Sequence, residues 1–238
     1  MSSTKKELLS GVFYTAIAKY SGIIVSLVVA GILARLIEPE EFGIVAIATV
    51  IISFFSIFSD LGIAPAIIQN KELSQKDLSN IFTFTIWLGI SISILFFLCS
   101  WPISHFYKNG TLLTICQLLS LNLFFASANI VPNALLFKEK EFKFIAYRSL
   151  TIQISGGVMA ITAAILGAGL YALIINPILS SILLFIISFR KKPQELAQTW
   201  GIQSMKKILS FSAYQFMFNV INYFSRNLDK LLIGKYMD

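Results

Sequence analysis

The sequence predicts an all-α polytopic transmembrane helix bundle. Three observations carry this: apolar residues fall in long blocks, charges collect in the short links between them, and strand-type alternation is missing. At 56% hydrophobic and 13% charged residues, the chain holds more apolar surface than a soluble domain of its size can hide. Helices are required because a backbone facing lipid must satisfy its own hydrogen bonds, and the period-2 pattern of a barrel is not present.

Seven spans are expected, at residues 12–36, 42–68, 79–101, 112–136, 147–167, 170–189 and 207–234. Each lies near the ~20 residues that cross ~30 Å of hydrocarbon. The first block carries Lys19, has no small-residue cleavage site and is read as a retained helix, not a signal peptide. Short links make neighbouring spans antiparallel. With the N-terminus in the cytosol, Lys71, Lys76, Lys138, Lys140, Lys143, Arg148, Arg190, Lys191, Lys192, Lys206 and Lys207 all reach the inner side. The outer flanks receive only Arg35, Lys108 and Lys235, beside the acidic Glu38-Pro39-Glu40-Glu41 link. This bias fixes the orientation. It also accounts for the net charge of +7 without nucleic acid, for the cations lack the interleaved aromatics of a nucleic-acid face.

The segment Lys6–Glu38 matches Lys206–Asp238, 200 positions later. Leu8-Leu9-Ser10 answers Ile208-Leu209-Ser210, and Leu36-Ile37-Glu38 answers Tyr236-Met237-Asp238. As a repeat, it divides the chain into an N-terminal lobe of six helices at 1–190, a cytosolic linker at 191–206, and the first helix of a second lobe at 207–238. The expectation is a truncated sequence that stops soon after the second lobe begins.

Polar residues inside spans are the candidate functional groups. In the first span Thr15, Lys19, Ser26 and Ala30 share one face at ~100° per residue, with Gly22 at its margin. The second does the same with Thr49, Ser53, Ser56 and Asp60, and both stripes are expected to face protein or water. Lys19 and Asp60 reach similar depths, roughly 10–12 Å by helix rise. They are expected to pair, because an unpaired charge there costs at least ~2.5–3.5 kcal/mol. The pair either locks two helices or faces a cavity. The seventh span gathers Asn219, Asn222 and Arg226 on one face, with Asp229 and Lys230 at the edges. Either its cations snorkel to headgroups or they line a water-filled cavity between lobes. Gly156, Ala160, Ala164 and Ala168, four residues apart, are read as a helix-packing stripe. Asn129, Pro132, Asn133 and Asn176-Pro177 mark sites for kinks.

No catalytic or metal constellation stands out. His105 is alone in an outer link, Cys99 and Cys116 lie in or beside apolar blocks as packing residues, and Gly234-Lys235 lacks the other positions of a phosphate loop. The reading is a non-enzyme without metal or cofactor.

The strings LARLIEPEEFG, FSDLGIAPAIIQNKELSQKDLSNIF, ALLFKEKEFKF, GAGLYALI and NYFSRNLDKLLIGKYM occur in that order. Through them nearly the whole chain resembles the bacterial polysaccharide flippases, the Wzx-type exporters, in their colanic acid exporter-like branch. The resemblance implies two six-helix lobes around a central cavity in the bacterial inner membrane. It further implies transfer of an undecaprenyl-diphosphate-linked oligosaccharide between leaflets for surface or exopolysaccharide biosynthesis, an H+ or Na+ coupling ion, and polysaccharide polymerase partners. Lys19, Asp60 and Arg226 carry over as cavity charges. Two alternatives stay open: a cation-coupled drug or metabolite antiporter of the same architecture, with Asp60 binding the cation, and a membrane scaffold for a polysaccharide synthase.

Overall fold

A computed structural model describes residues 2–197, 204, 206–208, 212–223 and 225, with side chains from Gly11 onward except those of Val12 and Asp60. Among the described residues the only regular structure is helical: α1 (Ser2–Leu36), α2 (Pro39–Asp60), α3 (Ile63–Gln69), α4 (Gln75–Phe106), α5 (Thr111–Ala128), α6 (Ile130–Lys138), α7 (Phe142–Ile165) and α8 (Tyr171–Lys191). Residues 212–223 form one further helix. Six of these helices are long and apolar enough to cross a membrane, and the chain is a multi-pass membrane protein.

Contacts between links define the two ends of the bundle. On the N-terminal side, Gly11 lies against the Phe142 ring, Lys138 Nζ donates to Asn70 O at 2.7 Å, and Lys191 and Lys192 pair with Glu141 and Glu139. On the opposite side, Leu170 N donates to Glu41 Oε1 at 3.2 Å, joining the α1–α2 and α7–α8 links.

Two expected spans are broken. The second, read as 42–68, ends at Asp60 because Leu61 (φ 46°) and Gly62 (φ 70°) adopt left-handed backbone, and α3 then leaves in a new direction. The fourth, read as 112–136, is interrupted at Asn129 between α5 and α6. Hydropathy runs on through both interruptions, so the apolar blocks do not reveal them. The first helix begins at Ser2, and α7 begins at Phe142, five residues before the expected start.

α5 is the central helix, packed against α4, α2 and α8, with α7 and then α1 extending the bundle outward. The main core gathers Ile52, Ile92, Phe96, Leu112, Ile115, Leu119 and Leu123 between α2, α4 and α5. A second core around Ile67, Ile81, Val131 and Leu135 fastens α3 and α6 to the start of α4 and takes in Ile208. Large side chains such as Leu27, Leu98, Trp101 and Ile165 stay exposed, as lipid contact requires.

α4 starts with a capping box: Ser74 Oγ accepts from Asp77 N while Asp77 Oδ2 accepts from Ser74 N at 3.0 Å. At ~1.5 Å per residue it is longer than the hydrocarbon is thick, so its ends emerge toward the headgroups. Pro177 sits inside α8, where Asn122 Nδ2 of α5 donates to its carbonyl at 2.8 Å.

Candidate functional site

α1 packs along α7, and small residues set the distance between them. Ala160 and Ala164 of α7 meet Leu33 of α1, Ile37 just past its end and Ala172 of α8 in one cluster, while Gly156 lets Asn176 of α8 come close. Ala168 lies past the end of α7, half-buried. Between the contact of Gly11 with Phe142 and that of Gly157 with Val29, the two helices leave a cleft of about 570 Å³.

The polar stripe of α1 lines that cleft: Thr15, Lys19, Gly22, Ser26 and Ala30 face Ser149 and Gln153 of α7. Gln153 holds the wall together, for its Nε2 donates to Gly22 O at 2.8 Å and to Ser26 Oγ at 2.6 Å. Gly22 makes this approach feasible, since a Cβ there would sit 2.5 Å from Gln153 Oε1. Ser149 and Gln153 also line a second cavity, of about 300 Å³, whose other wall is Asn176, Pro177, Ser180 and Leu184. The two cavities therefore share a partition; their polar groups are hydroxyls, amides and one cation, set among apolar side chains such as Ile23, Leu27, Phe137, Ile145 and Leu184.

Lys19 is exposed into the cleft, and among the described residues it makes no ion pair. Its expected partner, the Asp60 carboxylate, lies outside the described side chains. The helix against which Lys19 is set is α7, whereas α2 packs on α5 and α4. In the α1 stripe Thr15 donates to Gly11 O at 2.8 Å, and the α2 stripe follows the same pattern throughout. Thr49 donates to Val45 O at 2.7 Å, Ser53 to Thr49 O at 2.7 Å and Ser56 to Ile52 O at 2.9 Å, so each hydroxyl is satisfied by its own helix.

The helix at 212–223 runs beside α2. Tyr223 Oη donates to Val50 O at 2.8 Å, Phe216 and Tyr223 set their rings against Phe58 and Phe54, and Gly62 meets the backbone at Ser212. Asn219 is half-buried and accepts from Gln215 Nε2 at 3.1 Å, and Asn222 is half-buried. Arg226, Asp229 and Lys230 lie outside the described residues.

Two charged centres escaped the sequence reading. Arg148, read as an inner-side cation at the start of the fifth span, is buried at 6% exposure in the second turn of α7. Its guanidinium donates to Ser188 Oγ at 2.5 Å and Asn133 Oδ1 at 2.9 Å, tying α7 to α8 and α6. With α7 starting at Phe142, Arg148 stands more than one turn further into the helix than a start at 147 places it. The second centre is Asp77, buried at the start of α4 and paired with Lys207. Its signal was legible as Ser74-Gln75-Lys76-Asp77, a capping-box spacing. Among the described residues no group of His, Cys, Asp and Glu has the proximity to hold a metal ion.

A family model described as polysaccharide biosynthesis protein matches residues 32–238. The lipopolysaccharide biosynthesis protein WzxC of Escherichia coli K12 is 29% identical over 98% of this chain and 48% of its own length. The teichuronic acid biosynthesis protein TuaB of Bacillus subtilis 168 is 26% identical over 100% of the chain and 50% of its own length. The succinoglycan biosynthesis transport protein ExoT of Rhizobium meliloti 1021 is 21% identical, covering 98% and 47%. The chain thus spans about half the length of the curated relatives it matches. No solved structure matches it.

Proposed function

The chain belongs to the polysaccharide biosynthesis protein family, and from that premise we propose that it supplies one lobe of a transporter, together with the first helix of the next. In this reading the whole protein moves an undecaprenyl-diphosphate-linked oligosaccharide from the cytosolic to the outer leaflet of the bacterial inner membrane. The linker at 191–206 and the helix from 207 onward lead into the second lobe. The N-terminus is cytosolic, because the side that holds Lys71, Lys138, Lys140, Lys191 and Lys192 carries the excess of cations that marks the inner face.

The observation that carries this reading is the chemistry of the cleft. A diphosphate-sugar headgroup has fixed negative charge and many hydroxyls, each costing several kcal/mol if stripped of water in hydrocarbon. The α1–α7 cleft offers Lys19 for the charge and Thr15, Ser26, Ser149 and Gln153 for the hydroxyls. The adjoining α7–α8 cavity adds Asn176 and Ser180. The polyprenyl tail stays in lipid. Among the described lining residues the one charged side chain is the Lys19 cation, which favours an anionic polyhydroxylated cargo over a cationic drug. In this proposal Asn219, Asn222, Arg226, Asp229 and Lys230 belong to the wall that the second lobe supplies, and Asp60 to the part of the first lobe that meets it. Alternating access by the two lobes, driven by an H+ or Na+ gradient, exposes the headgroup to each side in turn.

The test uses the full-length protein in vesicles with a labelled lipid-linked sugar, and follows accessibility of the sugar to an impermeant reagent in each leaflet. Acceleration that is lost in Lys19→Ala at unchanged abundance supports the assignment. No change in accessibility under any ion gradient overturns it.

A further inference from the structure

Those residues between the first lobe and the 212–223 helix that the structure describes are bonded to the bundle. Ala197 N donates to Thr83 Oγ1 at 2.8 Å, which draws the linker onto α4. Further on, Ser204 and Lys207 converge on Asp77: Ser204 Oγ donates to Asp77 Oδ1 at 2.8 Å, and Lys207 Nζ reaches Asp77 Oδ2 at 2.7 Å. Asn80 Nδ2 donates to the same Ser204 hydroxyl at 3.0 Å, and Asn70 Nδ2 to Lys207 O at 3.3 Å. Asp77 is therefore doing two jobs. One oxygen caps α4 and meets the lysine, and the other grips the approaching chain.

Directly beyond these contacts, the left-handed turn at Leu61-Gly62 provides a seat for the helix. A Cβ on Gly62 would lie 2.6 Å from Gln215 Cβ and 2.9 Å from Ser212 O. From there Phe216 and Tyr223 continue the contact along α2 as far as Val50, midway along that helix. The described contact between the helix and the first lobe thus runs from the N-terminal edge of the bundle to about half its depth.

We propose that Asp77 and Lys207 are a positioning pair that clasps the cytosolic side of the lobe junction shut and parts when that side opens. The inference rests on the transporter reading above for its direction, but not for its chemistry. The two partners suit a contact that is made and broken. The Lys207 side chain is 44% exposed, so it regains water readily on release, whereas Asp77 is 9% exposed and keeps its cap on α4 through Ser74 in either state. A fully buried pair would be too costly to part, and a fully exposed one would hold nothing. The surrounding contacts of Ser204, Asn70 and Gly62 make release of the pair a release of the whole seam.

The experiment reads access to the seam. Cys99 and Cys116 are replaced by Ala, Ser212→Cys is introduced, and inverted vesicles holding the full-length protein are treated with a membrane-impermeant maleimide and no glycolipid. Lys207→Gln should label about two- to fivefold faster than the parent, the span a partly exposed pair supports. Lys207→Arg should label at the parental rate. Asp77→Asn combined with Lys207→Gln should label no faster than the faster single variant, as the two act through one contact. Ser204→Ala, which removes one hydroxyl bridge and no charge, should give a smaller rise, and Lys207→Gln should retain a monodisperse elution profile because its side chain is on the surface. Parental labelling in Lys207→Gln, equal acceleration in Lys207→Arg, or additive effects in the double variant would each overturn the clasp. Since no sugar lipid is present, its failure would leave the flipping assay unaffected, and failure of flipping would leave the labelling result intact.

Discussion

Arg148 Nη2 donates to Asn133 Oδ1 at 2.9 Å, a bond that joins the short helix α6 to α7 inside the bundle. With Ser188 Oγ taking the other terminal nitrogen, three helices meet on one guanidinium. Replacing Arg148 by Met leaves two buried acceptors without their donor, and should lower stability by about 1–3 kcal/mol. Arg148→Lys should recover little, because an ammonium cannot span both acceptors with the geometry of a planar fork. Thermal unfolding in detergent, followed by the monodisperse fraction, measures both.

Gly22→Val should displace Gln153 from its two acceptors and widen or distort the α1–α7 cleft. Its loss of stability should resemble that of Gln153→Ala, about 1–2 kcal/mol, since both abolish the same bonds. The double variant should be no worse than Gly22→Val alone. Unfolding temperatures of the three proteins give the comparison.

Gly62→Ala places a methyl group on a left-handed backbone, against the chain at Ser212 and Gln215. A destabilisation of about 1–3 kcal/mol is expected. Gly43→Ala provides the control, as an added Cβ there meets nothing within 4 Å. Thermal unfolding should separate the two clearly.

Ser74→Ala should cost about 1 kcal/mol through loss of the α4 cap. Asp77→Ala should cost more, because it removes the other half of the capping box together with the grip on Ser204. Hydrogen exchange across the first turn of α4 should rise in both.

Lys19→Ala should leave the unfolding temperature unchanged, since the side chain is exposed and makes no ion pair among the described residues. It should still slow transfer of the sugar lipid, and Lys19→Arg should preserve it. Parallel unfolding and leaflet-accessibility assays distinguish this from a packing role.

The six crossing helices were legible because hydropathy is a property of each segment by itself. What the sequence obscured were relations between segments. The α1 stripe followed from ~100° per residue, and Thr15, Lys19 and Ser26 do line one cleft. The helix packed against it is α7, far along the chain, and the Asp60 carboxylate expected to pair with Lys19 lies outside the described side chains. The interruption at Leu61-Gly62 hid within an unbroken apolar run, although the glycine marked it. Arg148 was legible as a cation near the inner end of its span, but its acceptors Ser188 and Asn133 stand on other helices. Asp77 was legible only as a cap, because its further role depends on Lys207, far along the chain.

The hydroxyls of α2 have a consequence of their own. Thr49, Ser53 and Ser56 bond back to the carbonyls of the preceding turn, so this face requires nothing from whatever lies opposite. Water, an acyl chain or another helix can succeed one another there without stranding a donor. A surface so self-sufficient behaves as a low-friction bearing, along which a neighbour can shift and settle again with little electrostatic memory of where it stood.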